Sequence, residues 1–204
     1  MHIRENTYDA FTLKEINRSY GWMNTKGKVV LDIGGHIGSA AVLFANGGAR
    51  KVISIEPDKD NFRMLQKNTK GLLVELINAA CVENPALEQV LLYTNKGMNK
   101  GMHSLVVKRG RGVGILVDAV QFSKLLKKYK PSVLKIDIEG AEYDILTQPL
   151  PAYVKEVTME IHFGKRVNRE VRAPELIKLF KGWECIKKPK LDGKNWTTIG
   201  AWKR

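Results

Sequence analysis

The sequence predicts an α/β fold with a doubly wound, mostly parallel sheet. Apolar stretches of strand length alternate with amphipathic stretches of helix length along most of the chain. The stretch VVLDIGGHIG at residues 29–38 predicts a strand, a glycine turn and a helix, and the second strand, which ends in Glu56, follows it. Near the C-terminus, two strand-like stretches flank a polar turn at residues 192–195, which predicts an antiparallel hairpin.

Each element is predicted from a local pattern. Short apolar or β-branched stretches predict strands over residues 29–33, 51–56, 74–80, 88–94, 113–117, 132–138, 156–161, 184–188 and 197–202. Helical spacing predicts a helix in the N-terminal segment, one from about residue 38 to 46, one opened by Pro57 and Asp58, and others over 119–129, 141–146 and 174–181. We expect residues 1–24 to form an N-terminal helical segment and residues 25–204 to form a single domain.

Length and composition predict a cytoplasmic globular protein. The chain has 204 residues, of which 44% are hydrophobic, which is enough for a sizeable core in one domain. The apolar stretches are of strand length, so we expect no membrane span, and the N-terminus has no stretch suited to secretion. Cys81 and Cys185 lie far apart and have no metal-like spacing, so we expect both to be reduced.

The net charge of +13 is the unusual feature of the composition, because the chain has 34 Lys and Arg but 21 Asp and Glu. Such a surface attracts phosphates, nucleic acid or anionic glycans, but it also serves solubility alone, and few aromatic residues interleave with the basic runs to stack bases. The excess is concentrated in four groups: Lys108, Arg109 and Arg111; Lys124, Lys127, Lys128 and Lys130; Lys165, Arg166, Arg169 and Arg172; and Lys187, Lys188 and Lys190.

The glycine turn and the two acids near it predict the cofactor. Gly34, Gly35 and Gly38 would let the backbone approach a ligand closely, and Glu56 is placed to accept hydrogen bonds from ribose hydroxyls. Asp32 precedes the first glycine, where a carboxylate would repel the pyrophosphate of NAD. A carboxylate there suits a ligand with an ammonium and a sulfonium, so the pattern favours S-adenosylmethionine (SAM).

Polar residues also follow the two later strands. Asp137 and Glu139 end one strand, and Glu160 and His162 end the next; residues two apart share a face of a strand. If these strands are neighbours, the four side chains converge on one rim at the carboxyl edge of the sheet. The alternative is a purely structural role, as a surface ion pair or a salt bridge from Lys135 to Glu160.

The motifs DIGGHIG, SIEP, DNFRMLQKN, LKIDIEGAE and MEIH together resemble the FkbM family of SAM-dependent methyltransferases. The likeness covers about residues 25–165, and a polar loop at residues 99–105 also matches the family. One departure is Gly35-His36, where members often have Ala-Asn. The resemblance implies a class I, Rossmann-like fold and O-methylation of a hydroxyl, commonly of a sugar or polyketide. We expect Asp32 and the glycine turn to hold the methionine end of the cofactor, and Asn78 and Ala79 to border its adenine. The full set of predicted cofactor-binding residues is Asp32, Gly34, Gly35, His36, Gly38, Glu56, Pro57, Asn78, Ala79 and Asp137.

Methylation of a hydroxyl calls for a general base, because a neutral hydroxyl is a poor nucleophile. His162 is the first candidate, and Asp137 and Glu139 come second, with Glu160 completing the catalytic set. Asp137, Glu160 and His162 would also make an O,O,N ligand set for Mg²⁺ or Mn²⁺, which could acidify a sugar hydroxyl. The sequence leaves metal assistance and metal-free base catalysis open, with a small preference for the second.

Two other functions compete with sugar or glycan methylation. One is RNA ribose 2′-O-methylation, which suits the charge and a loose Lys-Asp-Lys-Glu set made of Lys135, Asp137, Lys155 and Glu160. The other is a noncatalytic cofactor-binding module, which the retention of the acids and His162 disfavours. We expect a small-molecule or glycan acceptor, and the positive net charge is compatible with an anionic one. The sequence does not predict the oligomeric state.

Overall fold

A computed structural model describes residues 1–94, 103–105, 113–163, 173–191 and 197–204. The helices are α1 (Asp9–Tyr20), α2 (Ser39–Asn46), α3 (Lys59–Thr69), α4 (Phe122–Tyr129), α5 (Glu142–Ile145) and α6 (Ala173–Lys178). The strands are β1 (Val29–Ile33), β2 (Lys51–Ile55), β3 (Val74–Ile77), β4 (Ala80–Val82), β5 (Gln89–Tyr93), β6 (Gly114–Gln121), β7 (Val133–Ile136), β8 (Glu156–His162), β9 (Glu184–Lys187) and β10 (Thr197–Lys203). The polar loop at 99–105 lies largely outside the described residues, as do the basic groups at 108–111 and 165–172 and the turn at 192–195.

The central sheet has seven strands in the order β3-β2-β1-β7-β8-β10-β9. All its neighbouring strands are parallel except β10, which runs antiparallel to both β8 and β9. This arrangement confirms the predicted α/β fold, with a mostly parallel sheet and an antiparallel pair at the C-terminus. It also makes β7 and β8 neighbours, so the polar residues that follow them leave the same edge of the sheet.

Helices cover both faces of this sheet. Alternate residues of β1 pack on opposite sides: Leu31 packs with Leu125 of α4, and Val30 packs with Phe44 of α2. All five residues of β1 are therefore buried, as is typical of a parallel strand between two helical layers. Among the described residues, none of the helices is long and apolar enough to cross a membrane.

A second, three-stranded sheet in the order β4-β6-β5 departs from the predicted elements. The stretch predicted as one strand over residues 74–80 breaks at Asn78, whose side-chain NH₂ donates to the carbonyl oxygens of Glu56 and Pro57 at 2.8 and 3.1 Å. The predicted helix start at Ala119 is wrong. This residue lies in β6, where it pairs with Ala80 of β4, and the helix begins at Phe122. Long-range strand pairing here overrides a local helical pattern.

Candidate active site

A cavity of about 950 Å³ opens at the carboxyl edge of the central sheet. Its walls come from the turn after β1, the residues after β2 and β7, the end of β8, strand β4, helix α1 and the β9–β10 region. Ligands of open α/β sheets bind at this edge, where neighbouring crossover connections leave the sheet in opposite directions. The volume lies near the upper end of the range for small-molecule sites, so the cavity has room for a nucleoside cofactor together with a small acceptor.

The glycine turn after β1 packs directly on the end of β7. Gly34 has a φ of 85°, and a Cβ atom there would overlap the carbonyl oxygen of Asp137. Gly38 has a φ of 92°, and a Cβ atom on it would lie 2.9 Å from the side chain of Leu65. The glycines are thus required by left-handed backbone and close packing, and Gly34 and Gly35 both line the cavity.

Glu56 lines the cavity at the end of β2 and is almost fully buried. Its Oε2 accepts the backbone N–H of His36 at 2.9 Å, and its Oε1 accepts the backbone N–H of Asp58 at 3.0 Å and the side-chain NH₂ of Asn61 at 3.3 Å. Burial raises the pKa of Glu56, while these hydrogen bonds oppose the rise. The carboxylate is held in a fixed orientation at the position predicted for ribose recognition.

Asp32 is placed differently from its predicted role at the methionine end of the cofactor. Its side chain is fully buried, Ser54 Oγ donates to its Oδ2 at 2.7 Å, and the Nζ atom of Lys135 lies 3.3 Å from its Oδ1. Asp32 is not among the described residues that line the cavity, whereas Lys135 is. The carboxylate therefore supports the glycine turn from behind, and Lys135 pairs with it instead of with Glu160.

Three predicted cofactor-binding residues that follow β2 and β3 differ in whether they line the cavity. Pro57 and Ala79 line the cavity, together with Ala80, but Asn78 is not among the described lining residues. The Asn78 amide instead holds the backbone that carries Glu56, through the two hydrogen bonds described above. Asn78 thus acts on the site through the position of Glu56.

The four predicted catalytic residues do converge. Asp137, Glu139 and Glu160 line the cavity, and His162 lies behind them with 3% of its surface exposed. The Nε2 atom of His162 is 3.3 Å from Glu139 and 3.9 Å from Glu160, and its Nδ1 atom is 2.9 Å from Oε1 of Glu142. The imidazole ring is therefore held between carboxylates on both of its nitrogen atoms.

This arrangement decides the protonation of the rim. Burial alone would lower the pKa of His162, but the carboxylates of Glu142 and Glu139 outweigh it and raise the pKa well above its usual range. Burial and the negative charge of Asp137 raise the pKa of Glu160 to about 7, while His162 opposes that rise. At neutral pH the ring is a cation, and Glu160 is the rim carboxylate that titrates near neutrality.

Sequence reasoning missed Glu142 and the contribution of α1. Glu142 has no exposed surface, and its Oε1 accepts the backbone N–H groups of Ile138 and Gly140, each at 3.2 Å. It lies in the KIDIEGAE motif, three residues after Glu139, and this motif was the available signal. Tyr8, just before α1, and Phe11 of α1 line the cavity, and nothing in their own sequence pattern indicates this.

The Lys-Asp-Lys-Glu set considered for RNA does not assemble. Lys155 is exposed and immediately precedes β8, whereas Glu160 lies near the other end of that strand. Five residues of extended strand separate them by about 16 Å, so the two side chains belong to opposite edges of the sheet. Lys135 is also engaged, because it pairs with Asp32.

Comparisons with known proteins concern the family and the fold. A family model described as the methyltransferase FkbM domain matches residues 32–185. Magnesium protoporphyrin IX methyltransferase from Synechocystis PCC 6803, solved with bound SAM, is 12% identical; the match covers 100% of this chain and 86% of that chain, with a TM-score of 0.54. M. capricolum TrmK, in complex with S-adenosylhomocysteine (SAH), is 9% identical; the match covers 95% and 67%, with a TM-score of 0.52. No curated protein matches the sequence. The two structures share the fold with this chain, and at these identities they carry no information on its acceptor.

Proposed function

The chain belongs to the FkbM methyltransferase family, and from that premise we propose that it is an O-methyltransferase whose acceptor is a sugar or glycan hydroxyl. Transfer of a methyl group from SAM follows from the family and the fold. The observation that supports an oxygen acceptor is the rim of carboxylates in the cavity, where Glu160 has a pKa of about 7. A carboxylate that titrates near neutrality is suited to remove a proton from a hydroxyl.

The residues around the cavity fit SAM. The cofactor is cationic at its sulfonium and ammonium, and the cavity presents the carboxylates of Asp137 and Glu139 beside the glycine turn. Glu56 is placed for the ribose, and Pro57 and Ala79 supply apolar surface for the adenine. Asp32 contributes by supporting the turn and by balancing the charge of Lys135.

Bound SAM supplies an electrophilic methyl group, so the products are the methyl ether, SAH and one proton. We assign removal of that proton to Glu160, which lines the cavity, in place of His162, which is cationic and lies behind the rim. His162 stabilises the charged form of Glu160, since its Nε2 atom is 3.9 Å from Oε1 of that residue. The remaining task of the cavity is to orient the hydroxyl, which supplies much of the acceleration in a displacement reaction.

A metal-assisted version of the same reaction uses the same side chains. One ligand atom from each of Asp137, Glu160 and His162 lies within 4.8 Å of the others, which suits a small divalent ion. The donor chemistry does not suit it, because His162 is flanked by Glu142 and Glu139 and its raised pKa keeps a proton on each nitrogen. We therefore derive no step through a metal, and treatment with EDTA tests that choice.

The test of the proposed function is transfer of labelled methyl groups from SAM to a panel of free sugars, glycans and RNA. We expect labelled sugar or glycan, unchanged by EDTA. Labelled RNA, with retention that falls steeply as salt increases, would instead establish the 2′-O reaction. Binding of SAH without transfer to any acceptor would indicate the noncatalytic module, and loss of transfer in EDTA would establish the metal-assisted version.

We also propose a cellular compartment and a domain organisation for the protein. Both cysteines are free, with Cys81 buried and Cys185 exposed, which supports a reducing, cytoplasmic location. We also propose that residues 25–204 form one catalytic domain with residues 1–24 packed on it. Arg4 supports this packing, because its guanidinium donates to Asn61 of α3 at 2.8 Å and lies 3.2 Å from His36 in the cofactor turn.

A further inference from the structure

We propose that the acceptor is an anionic sugar, carrying a phosphate or a carboxylate, and that Lys187, Lys188 and Lys190 bind its anionic group. The inference rests on the proposed methyl transfer to a sugar hydroxyl and adds the class of acceptor and the residues that select it. It starts from a division of charge within the cavity, which has carboxylates at its inner rim and these lysines at its β9 side.

The three lysines lie together at the end of β9 and in the segment that follows it. All three line the cavity, and all three are exposed. The backbone N–H of Lys190 donates to Thr198 Oγ1 of β10 at 2.8 Å, which ties this segment to the neighbouring strand. None of the three forms an ion pair with another residue in the part of the chain that the structure describes. Three lysine side chains are thus placed along the wall of the cavity.

The carboxylates elsewhere in the cavity determine how an anionic acceptor would bind. Asp137, Glu139 and Glu160 would repel a phosphate or carboxylate group, and the lysines would attract it. A sugar with one anionic group thus has one favourable orientation, with the anion at the lysines and a hydroxyl toward Glu160. Charge selects the orientation as well as the ligand.

The N-terminal end of α1 supplies an apolar surface in the same cavity. Tyr8 and Phe11 line the same cavity and remain 46% and 56% exposed, with their ring centroids 6.4 Å apart in an edge-on contact. Exposed aromatic rings beside polar groups are typical of small-molecule sites, and a sugar ring has an apolar C–H face to place on them. Together, the rings and the lysines fit a pyranose with an anionic substituent.

The inference is tested with acceptors that share one ring and differ only at C6: a hexose, its 6-phosphate and its uronic acid. We expect kcat/KM for an anionic member to exceed that for the neutral hexose by about tenfold or more at low salt, and the preference to fall as salt is added. In Lys187→Gln/Lys188→Gln, the preference should be lost through a higher KM, while kcat and SAH affinity stay within about twofold. The phosphate and the uronic acid show which anion the lysines select.

The matched control is Lys124→Gln/Lys127→Gln, which removes the same charge from the exposed face of α4, and it should keep the preference. Transfer to all three sugars with equal efficiency, or a preference that survives in Lys187→Gln/Lys188→Gln, would overturn the inference and leave the proposed function standing. A panel in which no sugar is methylated while SAH still binds would overturn both. So would methylation of RNA alone.

Discussion

The Nδ1 atom of His162 lies 2.9 Å from Oε1 of Glu142, a carboxylate with no exposed surface. The same oxygen accepts two backbone N–H groups in the turn that carries Glu139, so it links that turn to the end of β8. Through His162 the link extends to Glu160, whose Oε1 is 3.9 Å from Nε2. Glu142 thus fixes the orientation and the charge of the ring on which the proposed base depends.

Glu142→Gln is predicted to act through the charge of His162. Without the carboxylate, the imidazolium loses its main stabilising partner, and a neutral ring no longer lowers the pKa of Glu160. The rising limb of the pH–rate profile should move to higher pH, and kcat should fall by about 10–100-fold at pH 7. SAH affinity should change little.

Tyr143→Phe is the matched control for this substitution, because the Tyr143 hydroxyl donates to the backbone oxygen of His162, at 2.8 Å. It should leave the pH profile in place. A thermal melt of both variants separates misfolding from a change at the rim. An unchanged pH profile in folded Glu142→Gln would show that His162 does not set the charge of Glu160.

The pH dependence of the wild-type enzyme tests the proposed base directly. A base must be deprotonated to act, and the pKa of Glu160 is raised to about 7 by burial and by Asp137. The value of kcat/KM should therefore rise with pH and level off above about 7. Glu160→Gln should lower kcat by about 10²–10⁴-fold, whereas Glu88→Gln, on an exposed loop, should have no effect. A profile that stays flat from about pH 5 to about pH 9 would exclude Glu160 as the base.

Local pattern predicts the central sheet well, because inner strands such as β1 and β7 are fully buried and have the sequence of short apolar stretches. It fails in the second sheet, where Ala119 pairs with Ala80 across a long stretch of chain. The helix that this spacing predicts does form, but it begins at Phe122. Pairing between distant segments leaves no local signature, so this boundary is not visible in the sequence.

In the site, the positions of the residues are predictable from the sequence and their protonation is not. The carboxyl ends of parallel strands meet at one edge, so the convergence of Asp137, Glu139, Glu160 and His162 is predictable from order along the chain. Their protonation is not, because it depends on burial and on Glu142, which contacts the ring only in the folded protein. A histidine at this rim looks like a base in the sequence, whereas in the structure it is buried between carboxylates that raise its pKa.

Glu56 is predicted to account for a large part of cofactor affinity. Glu56→Ala removes a buried, charged hydrogen-bond acceptor from the ribose position and should weaken SAH binding by about 1.5–3 kcal/mol in calorimetry. NAD should show no comparable binding to the wild-type protein. Glu75→Ala, on the partly exposed strand β3, is the control and should bind SAH normally. Unchanged affinity in Glu56→Ala would remove this residue from the site.

Arg4 is predicted to hold the cofactor turn from outside. Its guanidinium pairs with Asp9 at 2.9 Å, donates to Asn61 and contacts His36, which has an unfavourable φ of 48° for a residue with a side chain. Arg4→Ala should weaken SAH binding by about three- to tenfold, because the turn loses more conformational entropy on binding. Arg63→Ala, which breaks an exposed pair on α3, should not. Equal SAH affinity in both variants would show that the turn is fixed without Arg4.

The buried pair of Lys135 and Asp32 is predicted to stabilise the fold. Burial alone would lower the pKa of Lys135, but Asp32 and Asp137 outweigh it and raise that pKa, so the ammonium stays charged with 3% of the residue exposed. Asp32→Ala removes the carboxylate nearest to that ammonium, and only the Asp137 carboxylate at 3.9 Å and the carbonyl oxygens of Ile33 and Gly34 remain near it among the described residues. The free energy of unfolding in urea should fall by about 3–5 kcal/mol.

The double variant Asp32→Leu/Lys135→Met distinguishes this explanation from simple loss of packing. It removes both charges and fills the space with apolar atoms, so no uncompensated ammonium remains, and it should recover most of the stability lost in Asp32→Ala. If Asp32 instead contacted the cofactor and contributed little to the fold, Asp32→Ala would unfold at the same urea concentration as the wild type and lose only SAH affinity. A double variant no more stable than the single one would show that the turn needs the Asp32 carboxylate itself, through its hydrogen bond from Ser54.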